Sequence, residues 1–101
     1  MTKLEKGMVV LSSVESPTGS PARIIYAGRG EGTQFGTTLF HVFIGDMSYG
    51  IFTLRGDITT VEEAQSKLMA PRREGDEETL AEYAVRYQWY HVDDVEGYAL
   101  S

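Results

Sequence analysis

Thr37-Thr38-Leu39-Phe40-His41-Val42-Phe43-Ile44, followed by Gly45-Asp46-Met47-Ser48 and Tyr49-Gly50-Ile51-Phe52-Thr53-Leu54-Arg55, is the stretch whose reading decides the fold. In a strand, successive side chains point to opposite faces. Phe40, Val42 and Ile44 then share one face, and Leu39, His41 and Phe43 the other. Both sets are largely apolar, which predicts a strand placed centrally in a sheet. Gly45 to Ser48 is turn-like, and Tyr49 to Arg55 alternates again, so the second run folds back as a hairpin.

Working outward toward the N-terminus, Met8-Val9-Val10-Leu11 and Arg23-Ile24-Ile25-Tyr26-Ala27 read as two more strands. Ser16-Pro17-Thr18-Gly19-Ser20-Pro21 separates them as a loop, because Pro fixes φ and Gly supplies left-handed conformations. Gly28-Arg29-Gly30-Glu31-Gly32 reads as a mobile hairpin connection. It is a poor phosphate cradle, since such loops open a helix whereas a strand follows here, and Glu31 repels phosphate.

Toward the C-terminus the signals become helical. Thr60-Val61-Glu62-Glu63 fits a capping box, and Pro71 ends the helix it opens at about Met69. Asp76 is the expected N-cap of a second helix, with Glu77 and Glu78 in a first turn that the helix dipole favours. Leu80, Tyr83, Ala84 and Tyr87 recur at helical spacing as its buried stripe. Tyr87-Gln88-Trp89-Tyr90-His91-Val92 fits either a helix extension or a strand, with its aromatic and β-branched content favouring a strand. The expectation is an α+β fold in a single domain over residues 1–101: a small antiparallel sheet of four to five strands, with one or two helices in the C-terminal half.

Lys6-Gly7-Met8-Val9-Val10-Leu11 resembles the opening strand of small SH3-like barrels. Trp89-Tyr90-His91-Val92-Asp93-Asp94-Val95-Glu96 is similar to their closing strand and terminal turn. The resemblance implies a barrel in which the helical stretch from residue 60 to about 87 is an insertion. Small acidic chains of this type also resemble accessory proteins of bacteriophages and other mobile elements, including inhibitors of host defence. Neither resemblance carries functional residues across.

The chain of 101 residues has 15 acids against 9 bases, a net charge of −6, and no Cys. That balance disfavours non-specific binding to DNA or to anionic membrane, and the lack of Cys excludes disulfides and thiol chemistry. Residues 1–56 sum to +1 and residues 57–101 to −7, so the charge is concentrated where the helices are expected. Met1-Thr2-Lys3-Leu4-Glu5-Lys6 lacks the apolar stretch of a signal peptide, and the longest apolar run is far short of a membrane span. A cytoplasmic location follows as the expectation, in the host cytoplasm if the chain is phage-encoded.

Catalytic signals are thin. No Gly-x-Ser-x-Gly elbow surrounds a serine, and a domain this small leaves little room for a deep cleft between carboxylates. His91, Asp93 and Asp94 sketch a metal site but lack the Cys or second His that zinc sites use. Arg55-Gly56-Asp57 matches an adhesion tripeptide outside its extracellular setting. Neither cofactor nor metal is expected, and the chain is expected not to be an enzyme.

The stronger signal is surface. Glu74, Asp76, Glu77 and Glu78, with Glu62 and Glu63, form an acidic patch suited to a protein partner with a basic surface. Trp89 and Tyr90 belong to a late aromatic cluster of the kind that anchors interfaces. The leading expectation is a non-enzymatic inhibitor or adaptor, with blockage of a nucleic-acid-binding host factor as one form. Two alternatives stand beside it. One is a nucleic-acid-binding barrel using Arg23, Arg29 and Arg55 with Tyr26 or Phe35 for base stacking. The other is a small metal protein or enzyme using His91, Asp93 and Asp94. An exposed strand edge or aromatic patch also allows a homodimer.

Overall fold

The computed structural model describes residues 1–30, 37–55, 58–87 and 98–100. Its strands are β1 (Val9–Val14), β2 (Ala22–Gly30), β3 (Thr37–Ile44), β4 (Met47–Arg55) and β5 (Tyr98–Leu100); its helices are α1 (Val61–Met69) and α2 (Leu80–Tyr87). All pairings are antiparallel, and the sheet order is β1-β2-β3-β4-β5. The fold is α+β, as the sequence predicts. Among the described residues the pairing runs from β1 to β5 as a meander, with no ladder joining the two ends.

β3 lies in the middle, paired with β2 and β4 along its length. Its alternation divides the sheet. Phe40 and Val42 are fully buried, while Leu39, His41 and Phe43 are half-buried on the opposite face. Ile24, Tyr26, Phe52 and Leu54 join Phe40 and Val42 in one core with Ala64 and Leu68 of α1 and Ala81, Ala84 and Val85 of α2. The helices therefore cover the inner face of the sheet. The Phe40 and Phe52 rings stack at 5.3 Å, and Tyr26 meets Phe40 edge-on at 6.4 Å.

The β3–β4 hairpin is tighter than expected. Ile44 pairs with Met47 across the two-residue turn Gly45-Asp46, so β4 starts two residues before Tyr49. Gly45 has φ of 62°, the left-handed conformation that a two-residue hairpin needs. The expected mobile segment at Gly28 is also corrected: Gly28, Arg29 and Gly30 belong to β2. A bulge between Tyr26 and Gly28, with Gly28 at φ of 106°, absorbs the glycine without ending the strand. β1 likewise continues to Val14, through two register shifts and a left-handed Ser13.

α1 opens as predicted. The Thr60 hydroxyl accepts the Glu63 N–H at 3.2 Å and donates to the Glu63 carboxylate at 3.0 Å. Ala70 is extended before Pro71 and ends the helix. Gln65 donates from Nε2 to the Val10 carbonyl at 2.9 Å and ties α1 to β1. α2 starts later than expected. Asp76 is not its cap, and Glu77 and Glu78 are not in its first turn. Thr79 and Glu82 form a reciprocal capping box instead, with bonds of 3.0 and 3.1 Å, while the Asp76 carboxylate is taken by Arg72. The buried side of α2 also includes Ala81 and Val85, which makes it wider than the expected stripe; the Tyr87 side chain lies outside the described set.

The proposed closing strand at Trp89–Val92 lies outside the described residues, and the last strand described is Tyr98–Leu100 on β4. No described helix is long and apolar enough to cross a membrane.

Candidate protein-docking surface

Glu62 and Glu63 sit in the first turn of α1, both exposed. The Thr2 backbone N–H donates to Glu62 Oε1, and this bond, more than any other cause, holds the Glu62 carboxyl below its ordinary 4.5. A carboxyl with a folded pKa lower than its unfolded one stabilises the fold above the unfolded value, and loses that contribution as pH falls through the folded value. Glu62→Gln should therefore flatten the acid limb of the stability profile below about pH 4.5, leaving a smaller difference from wild type at pH 3 than at pH 7 in urea titrations. Glu63 is committed to the cap, accepting from both Thr59 and Thr60.

The other four acids occupy the connector from Ala70 to Thr79, which folds back on itself. Arg72 N–H donates to the Glu78 carbonyl at 3.0 Å, Leu80 N–H to the Ala70 carbonyl at 2.9 Å, and Pro71 pairs with Thr79. Within it the carboxylates divide. Asp76 accepts from Arg72 Nε at 3.1 Å, and the Arg72 guanidinium lies 4.4 Å from the Tyr83 ring. Glu78 accepts from Arg86 at 2.8 Å. Glu74 and Glu77 are exposed. The connector thus gathers Glu74, Asp76, Glu77 and Glu78, whereas Glu62 and Glu63 stand at the other end of α1, about 12 Å away along its axis.

Glu78 also lines a cleft of about 340 Å³ with Glu15, Ser16, Pro17, Glu82 and Arg86. Three carboxylates face it from two separate parts of the chain. Glu15 and Glu82 escaped the sequence reading because only tertiary packing brings the loop after β1 beside α2. Ser16 is buried there, its hydroxyl donating to the Ser20 carbonyl and meeting the Thr18 hydroxyl at 2.9 Å.

The remaining candidates fall as follows. Trp89 and Tyr90, with His91, Asp93 and Asp94, lie outside the described residues, as do Phe35, Gly56 and Asp57. Tyr26 is 8% exposed and packed in the core, so it offers no ring for base stacking. His41 hydrogen-bonds to the Ser48 hydroxyl from within the sheet. Among the described residues, no three His, Asp or Glu side chains are grouped to hold a metal ion.

Fold and surface together define a small α+β domain with an acidic helical side. No family model, curated protein or solved structure matches this chain.

Proposed function

We propose that the protein is a non-enzymatic binding module that inhibits or adapts a larger protein, docking its acidic helical side onto a basic surface. The observation that carries this reading is the exposure of Glu74 and Glu77 in the connector, beside Asp76 and Glu78 and continuous through Glu78 with the Glu15 and Glu82 cleft. The hydrogen-bonded backbone of the connector supports it, because a loop already folded on itself presents its carboxylates with less ordering cost on binding. The ion pairs at Asp76 and Glu78 leave Glu74 and Glu77 as the first charges a partner meets. If encoded by a phage or other mobile element, such a module would act in the cytoplasm of the host cell.

The test starts from affinity capture in native host lysate, followed by binding measurements with the purified partner. The double variant Glu74→Lys/Glu77→Lys should weaken binding about tenfold near 0.1 M salt and flatten its salt dependence. Unchanged affinity across a salt titration overturns the acidic docking surface.

A further inference from the structure

Two clefts adjoin between β1 and α2. The first, of about 340 Å³, is the one that Glu15, Glu78, Glu82 and Arg86 line. The second, of about 370 Å³, is walled by Leu11, Val14, Met69 and Ala81. Glu15 and Glu82 line both, so the two form one groove. Its strand side bends, because β1 shifts register between Leu11 and Val14 and Ser13 is left-handed.

The two ends of the groove differ in chemistry. At the first, three carboxylates meet one guanidinium, a balance of −2 among the described residues. Arg86 is already turned to Glu78 at 2.8 Å. Glu82 accepts from the Thr79 N–H and hydroxyl, both at 3.0 Å, and these neutral donors leave its charge in place. Glu15 is exposed on the loop after β1. At the second end, Val14 and Ala81 are buried, Leu11 is half-buried and Met69 stands exposed beside them. An unbranched, polarizable Met side chain moulds itself to a bound apolar group.

We propose that this groove takes an extended segment of the partner protein, with a Lys or Arg side chain at the acidic end and an aliphatic side chain against Met69. The inference rests on the reading of the acidic helical side as a docking surface, and names what that surface takes. Charge complementarity selects the basic residue, and the apolar wall selects its neighbour. In an extended segment, side chains two positions apart point the same way about 7 Å from one another, so one segment fills both ends. A second copy of this chain is repelled by its own net charge of −6. A free polyamine satisfies the carboxylates but leaves the apolar wall in water.

The experiment is an NMR titration of the isotope-labelled protein with three short synthetic peptides in a Gly/Ser background. One carries Arg and Leu two positions apart, one Arg alone and one Leu alone. The first should shift the amide signals of Glu15, Ala81 and Glu82 and the methyl signal of Met69, and bind at least about tenfold tighter than the others. Glu15→Lys should weaken it about tenfold and Met69→Ala about threefold, with thermal melts unchanged because both positions are exposed. Glu74→Lys/Glu77→Lys should alter peptide affinity less than about threefold near 0.1 M salt, since neither residue lines the groove. Absent shifts, or shifts confined to the connector, overturn the inference. So do equal affinities for the three peptides, or indifference to both Glu15→Lys and Met69→Ala. Weakened binding of the captured partner by Glu74→Lys/Glu77→Lys, with no peptide in the groove, overturns the groove alone. Peptide binding in the groove with unchanged partner affinity in that variant upholds the groove and moves docking away from Glu74 and Glu77.

Discussion

Phe40→Ala should destabilise the protein by about 3–5 kcal/mol. Phe40 is fully buried at the middle of the central strand, stacked on Phe52 and met edge-on by Tyr26. Truncation removes the ring and leaves a cavity bounded by strands that cannot close on it, since β2 and β4 are both tied to β3 by their ladders. Against a total of about 5–15 kcal/mol for an ordinary domain, the loss is severe. In a thermal melt it corresponds to a fall of roughly 15–30 °C. Phe43→Ala is the matched control, because Phe43 is the same residue type in the same strand, on its other face and half-buried. It should cost less than about 1.5 kcal/mol. Equal losses at the two positions would contradict the division into an inner and an outer face.

Leu68→Ala should cost about 2–5 kcal/mol by the same cavity argument. α1 buries Ala64 and Leu68, and alanine brings little apolar area, so Leu68 carries most of the attachment of this helix to the core. Met69, the next residue, is 61% exposed, and Met69→Ala should change stability by no more than about 0.5 kcal/mol. Urea titrations followed by circular dichroism distinguish two ways of losing stability. A lower midpoint with an unchanged slope means the whole domain is weakened, whereas a reduced slope means that α1 detaches before the sheet unfolds. A Leu68→Ala protein as stable as wild type would remove α1 from the core.

What could be read from the sequence was whatever rests on near neighbours. The central strand announces itself through Phe40, Val42 and the second apolar set Leu39 and Phe43, and the Thr60–Glu63 cap and Pro71 bracket α1 within the chain's own local chemistry. The start of α2 was less legible because two acceptors compete for the role of cap. Asp76 has the right residue type, but Arg72 engages its carboxylate, and Thr79 with Glu82 satisfies the helix end instead. β5 has only three residues and owes its identity to β4, a partner more than forty positions away. The acidic surface was legible as composition, not as geometry. That Asp76 and Glu78 are paired, that Glu74 and Glu77 are exposed, and that Glu15 joins Glu78 and Glu82 at one cleft all depend on how the helices lie against the sheet.

The opening residues bear on how the chain comes to fold as it is made. Thr2 accepts the Val61 N–H at 2.7 Å, Leu4 donates to Thr59 at 2.9 Å, and the Thr2 N–H reaches Glu62, 60 positions ahead. Leu4 is itself buried in the core. During synthesis these residues are made well before the partners that hold them. The N-terminal segment is therefore among the last parts to be secured, and the domain closes only after α1 has been translated.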